Sequence, residues 1–127
     1  MISRKSVLLI QNDIKAIAEY TEKCVESGVS ERNIFAVSDA ESAERYLEIA
    51  GISHVVVDAN LYNFMVSSIV EKFSEYFPIQ TIITNAKSEQ KTLRMLNDKS
   101  LAYVNSPEEL SMALLGNYQK VANFGNL

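Results

Sequence analysis

Val55-Val56-Val57-Asp58, followed by Ala59-Asn60-Leu61, is the stretch on which the fold turns. Three β-branched residues in a row read as a strand buried on both faces, as in a parallel sheet. The run then stops on a carboxylate. Open α/β folds bind ligands outside the carboxyl ends of their strands, so Asp58 stands where chemistry would take place. One carboxylate at such a mouth is a phosphoryl acceptor, a metal ligand or a helix cap, and its neighbours decide which.

Outward from this strand (His54 to Val57), short β-branched runs alternate with longer amphipathic ones. Val7 to Ile10 predicts a first strand. Asp13 to Gly28 predicts a helix, with Ile14, Ile17, Ala18, Thr21 and Val25 at helical spacing and Gly28 as its stop. Cys24 shares that face with Ile17, Thr21 and Val25 and reads as core packing. Asn33 to Val37 predicts a second strand. Ser38-Asp39-Ala40-Glu41 is a capping-box pattern opening a helix that ends near Gly51. Phe64 to Tyr76 predicts a third helix, with Met65, Ile69 and Phe73 along one side and Pro78 as its stop. Ile79 to Thr84 is a fourth strand, Lys87 to Leu96 a fourth helix and Leu101 to Val104 a fifth strand. Ser106-Pro107-Glu108-Glu109 opens a last helix with the stripe Leu110, Ala113, Leu114, Tyr118 and Val121. Strict alternation predicts a flavodoxin-like (βα)5 domain: a doubly wound parallel sheet, strand order 2-1-3-4-5, in three α/β/α layers. The site is then expected at the carboxyl ends of the first and third strands. One domain over residues 1–121 is expected, with 122–127 as a frayed tail or the start of a linker.

The bulk properties exclude several classes. The chain has 127 residues, of which 47% are hydrophobic and 22% charged, enough for one ordinary core. A net charge of −4 argues against direct nucleic-acid binding by this domain. No apolar stretch approaches the roughly 20 residues of a membrane span. The apolar run after Lys5 is too short for a signal peptide. A lone cysteine makes no internal disulfide, and a cytoplasmic setting is expected. The single His54 and the single Cys24 fall on separate elements, so no nucleophile set is evident and the chain does not read as an enzyme. His54, at the start of its strand, reads as a surface residue. No glycine-rich phosphate loop follows the first strand.

Four segments in order, Val7-Leu8-Leu9-Ile10-Gln11-Asn12-Asp13, His54 to Leu61, Thr81-Ile82-Ile83-Thr84-Asn85-Ala86 and Ala102-Tyr103-Val104-Asn105-Ser106-Pro107, resemble response-regulator receiver domains of two-component signalling. The resemblance spans Lys5 to about Tyr118. It implies that Asp58 is the phosphoacceptor, that the Asn60 carbonyl is a metal ligand, and that Thr84 and Tyr103 form the switch pair. Thr84 fits if one residue of slack is allowed after Pro78; ungapped counting puts Ile83 there. The resemblance also implies a partner or dimer surface on the fourth-helix, fifth-strand, fifth-helix face, here Lys87, Lys91, Arg94 and Tyr103. The partners implied are a histidine kinase, an output domain or a regulator.

The chain departs from this pattern where charge matters. Receivers carry two acids after the first strand that help hold Mg²⁺; here stand Gln11 and Asn12, with Asp13 one residue late. The lysine of the Lys-Pro pair is replaced by Ser106. Tyr62 and Val66 stand where a proline and a glycine are usual. Phosphoryl transfer is largely positioning and charge neutralisation. A preorganised charge is typically worth about 2.7–4 kcal/mol in such a transition state. Mg²⁺ is therefore expected to bind weakly or not at all, and the chain reads as a degenerate or pseudo-receiver acting through protein–protein binding. Two alternatives stand beside it: a phosphorylation-competent receiver in which Asp13 helps hold Mg²⁺, and a small flavodoxin-like cofactor binder or enzyme. Plainer roles stand beside each residue too. Asp58 then merely ends a strand, Asp13 and Ser106 cap helices, Thr84 and Tyr103 pack in the sheet, and Lys87, Lys91 and Arg94 lie on a solvated face.

Overall fold

The computed structural model describes residues 5–85 and 101–114. Its strands are β1 (Val7–Ile10), β2 (Ile34–Val37), β3 (His54–Asp58), β4 (Gln80–Thr84) and β5 (Leu101–Val104). They form one all-parallel sheet in the order β2-β1-β3-β4-β5. Four helices are present among the described residues: α1 (Ile14–Glu26), α2 (Ala40–Ile49), α3 (Phe64–Ser74) and α4 (Pro107–Leu114). This is consistent with a flavodoxin-like fold. The direction of winding reverses between β1 and β3, which opens a crevice at their carboxyl ends. The predicted Lys87–Leu96 helix, with Lys87, Lys91 and Arg94, and the tail from Ala122 lie outside the described residues.

The middles of the central strands are apolar because both of their faces are covered. All four residues of β1 are buried, as are Val55, Val56 and Val57 of β3. Alternate residues enter two separate clusters, as the period of two requires. Val7, Leu9, Val56 and Ile82 pack with Tyr20 and Cys24 of α1 and Leu110 and Leu114 of α4. Leu8, Ile10, Val55, Val57 and Ile83 pack with Leu47 of α2 and Val66, Val70 and Phe73 of α3. Each such aliphatic side chain contributes about 1.5–3 kcal/mol by leaving water. At the β2 edge, Phe35 stacks on Tyr46 of α2 with ring centroids 4.9 Å apart.

Caps fix where the helices begin and end. α1 closes on Gly28 at φ 98°, with Val29 N–H donating to the Cys24 carbonyl and Gly28 N–H to that of Val25. This paired closure needs the left-handed conformation that glycine takes without penalty. Ser106 Oγ accepts from Glu109 N–H at 3.4 Å, while the Glu109 carboxylate accepts from Asn105 N–H at 3.2 Å. The Ser-Pro-Glu-Glu start of the last helix is thus realised.

Three packing expectations are corrected. The inward face of α1 is Tyr20 and Cys24, flanked by Ile17 and Thr21, whereas Ile14 and Val25 are exposed. The stripe is rotated by about one residue because Tyr20, with its polar tip, buries its ring. α2 is capped by Asp39, whose carboxylate accepts from Ser42 N–H at 2.7 Å, and not by Ser38. The helix therefore begins one residue later than the capping-box pattern implies, and the Ser42 N–H holds the Asp39 carboxyl below its usual range. In α3 the buried residues are Val66, Ser67, Val70 and Phe73, while Met65 is 64% exposed. Asn63 caps that helix through Val66 N–H and sets its rotation. The compact Val66 and Val70 then lie against the sheet.

Candidate functional site

Asp58 is the last residue of β3 and is 6% exposed, so its carboxylate must find partners within the protein. Two donors meet it. Asn60 N–H donates to Oδ2 at 3.1 Å, making Asp58 the cap of a single 3-10 turn over Ala59–Leu61. Asn85 Nδ2 donates to Oδ1 at 2.7 Å. Asn85 directly follows β4 and stands at φ 54°, a left-handed conformation that asparagine tolerates better than most residues. Both donors are neutral. Among the described residues, the ion pairs are Lys23 with Glu26 and Glu108 and Lys72 with Glu44, and none involves Asp58.

The positions after β1 are occupied with local work. Gln11 is 3% exposed, and its Oε1 accepts from both Asn12 N–H (3.0 Å) and Asp13 N–H (3.1 Å). Its own N–H donates to the Val37 carbonyl, tying the start of this loop to β2. Asp13 caps α1 by accepting from Lys15 N–H at 3.0 Å, so its carboxylate is engaged at the helix start. Asn12 and Asn60 are exposed. Mg²⁺ demands near-octahedral oxygen donors at about 2.1 Å. Among the described residues, no group of three His, Cys, Asp or Glu side chains assembles to hold a metal ion. A single carboxylate, each oxygen of which already shares itself with one hydrogen-bond donor, supplies little of the anionic ligand set that ion favours.

The parallel register brings Thr84 beside Asp58: Asp58 pairs with Thr84, Val57 with Ile83. Thr84 is 1% exposed, and its hydroxyl lies 3.5 Å from the Val57 carbonyl, a long contact. A second partner comes from α1. The Tyr20 phenol hydrogen-bonds the Thr84 side chain. Burial pushes that phenol up from its ordinary value, the Thr84 hydrogen bond pulls it partly back, and the charge of Asp58 adds to the rise. Tyr20 therefore stays protonated and belongs to the Asp58 environment, although no motif pointed to it. Tyr103, opposite Ile83 in the β4–β5 ladder, is half-buried and packs against the α2–α3 cluster. Ser106 caps the last helix.

His54 is more enclosed than a strand-end surface position suggests. It is half-buried at the amino end of β3, and burial with nearby Lys5 pushes its imidazole down to about 4. Ser53 Oγ accepts from Ser6 N–H at 3.0 Å, donates to the Ser6 carbonyl at 3.1 Å and lies 2.7 Å from His54 Nδ1. A hydroxyl has one proton, so Nδ1 is assigned as the donor to Ser53. The serine is consequently not activated as a nucleophile; the trio fastens the start of β3 to the residue before β1.

The rim of the mouth carries exposed apolar side chains at two helix starts, Ile14 on α1 and Phe64 and Met65 on α3, at 84%, 84% and 64% exposure. Beside it lies an open cleft of about 490 Å³ between the starts of α2 and α3, lined by Ile10, Ser38, Ala40, Leu61, Met65 and Val66 among others. No helix of the described residues is long and apolar enough to cross a membrane. No family model and no curated protein matches the chain.

Proposed function

We propose that the chain is a degenerate receiver domain that works in phosphorelay signalling by binding a partner protein, with phosphorylation of Asp58 weak or absent. The observation that carries this reading is the strand-end pair Asp58–Thr84 in a 2-1-3-4-5 parallel sheet, met by neutral donors where phosphoryl chemistry needs charge. Gln11 is committed to backbone N–H groups, Asp13 to the start of α1 and Ser106 to the start of α4. None of the three offers a positive charge to an incoming phosphoryl group, and one oxygen of the Asp13 carboxylate is held at the helix start. The exposed Ile14, Phe64 and Met65 favour a protein partner, since apolar side chains gathered at one end of a domain mark interaction surfaces.

The domain has three α/β/α layers and acts in the cytoplasm. Its partner is a histidine kinase, an output domain or a regulator. A homodimer would form through the face carrying Lys87, Lys91, Arg94 and Tyr103. The deciding experiment is incubation with acetyl phosphate or phosphoramidate and Mg²⁺, followed by intact mass. Little or no added phosphoryl group after an hour is expected. Stoichiometric modification at Asp58 within minutes would overturn the reading in favour of a competent phosphoacceptor.

A further inference from the structure

Asp58 has a neighbour whose geometry suits one task. Asn85 Nδ2 sits 2.7 Å from Oδ1, closer than the 3.1 Å between Asn60 N–H and Oδ2. An ionised carboxylate only accepts, so the amide must present its NH₂ group. Asn85 reaches this place through a left-handed backbone at φ 54°, directly after the strand that holds Thr84. With Asn60 N–H on Oδ2, each oxygen has a donor supplied by the chain itself. A divalent cation approaching either oxygen must share it with that donor or displace it.

We propose that Asn85 is the residue that keeps divalent cations off Asp58, its amide occupying the approach to the carboxylate that the ion would need. The inference deepens the reading above and rests on its account of a mouth short of charge. Asn85 supplies as a neutral dipole what a cation supplies elsewhere: it satisfies a buried carboxylate. Because the donor is covalently part of the β4 end, it competes with Mg²⁺ at every concentration of the ion. A hydrogen bond to a charged group is strong enough for its removal to change cation affinity by about ten-fold or more.

The test is a titration with MgCl₂ alone, followed by the amide resonances of Asn60 and Thr84, in the unmodified protein, Asn85→Gly, Asn85→Asp and Asp58→Asn. Glycine keeps the left-handed backbone without strain, and aspartate keeps the side-chain shape while replacing the donor by a second carboxylate. Both variants are expected to bind Mg²⁺ about ten-fold or more tightly than the unmodified protein. Asp58→Asn is expected to abolish the response. Equal affinity in the unmodified protein and in whichever Asn85 variants fold overturns the proposal, as does a response that survives Asp58→Asn. The two readings fail separately. A ten-fold gain alongside rapid phosphorylation of the unmodified protein sinks the functional reading alone. No gain alongside absent phosphorylation sinks the role of Asn85 alone.

Discussion

Replacing Tyr20 by Phe removes one oxygen from a side chain that is 3% exposed and leaves its ring among Val7, Leu9, Cys24, Val56 and Ile82. The aromatic packing is kept, so the change isolates the hydroxyl. Its partner is the buried Thr84 side chain, whose remaining contact is the Val57 carbonyl at 3.5 Å. That distance is at the outer limit of a hydrogen bond, and water has little access to a group 1% exposed. A buried hydroxyl left without a good partner costs about 1–3 kcal/mol, and the long residual contact places the expectation near 1–2 kcal/mol. For a domain of this size each kcal/mol lowers the melting temperature by roughly 3–5 °C. Urea unfolding of Tyr20→Phe, Thr84→Val and the double variant forms a cycle. The single losses should exceed the double loss in sum by about 1 kcal/mol, since contacting pairs couple by about 0.5–3 kcal/mol. Strict additivity, or a Tyr20→Phe loss below about 0.3 kcal/mol, would refute the link between α1 and the Asp58 neighbourhood.

Three more predictions concern buried groups. Thr81 Oγ1 is buried without a hydrogen-bond partner among the described residues, so Thr81→Val, which keeps the β-branch, should stabilise the fold by about 1 kcal/mol in chemical denaturation. The Cys24 thiol is fully buried and pushed up to about 12 by desolvation; it should resist a thiol reagent at pH 8 in the native protein and react at full rate in urea. His54 is held neutral, down to about 4 against 6.5 when unfolded, so the unfolded chain binds the extra proton first. Stability should therefore fall as pH drops through 6.5 toward 4, and His54→Gln should flatten that slope. The full shift corresponds to about 3 kcal/mol, which partial solvent exposure of the ring reduces to about 1–2 kcal/mol.

The sheet was legible because burial on both faces leaves a plain trace: continuous runs such as Val7-Leu8-Leu9-Ile10 and Val55-Val56-Val57 suit a strand covered above and below. Caps were legible where one residue type suited the place, as at Asp13 and Ser106, and ambiguous where Ser38 and Asp39 stand side by side. Helix rotation was harder. α3 is apolar on more than one face, so Met65-Ile69-Phe73 and Val66-Val70-Phe73 both satisfy helical spacing, and only packing against the strands chooses. The site shows the same division. Asp58 announces itself by ending an apolar run, and Thr84 needs only the strand register to find its place. Tyr20 and Asn85 have no such signal. Tyr20 comes from a helix remote in sequence, and its hydroxyl meets Thr84 only through the α1–sheet packing. Asn85 acts through a turn conformation, and an asparagine after a strand is ordinary in itself. The expected charged surface on Lys87, Lys91 and Arg94 lies outside the described residues.

The pairing of Asp58 with Thr84 at the last rung of the β3–β4 ladder has a corollary. Residues one step inward, Val57 and Ile83, are sealed in the interior and bear the architecture. At the terminal rung Asp58 and Thr84 are still buried, and only Asn85, just past it, is exposed. A substitution at Asn85 therefore changes the surroundings of the Asp58 carboxylate at less cost to the interior than one at either paired residue.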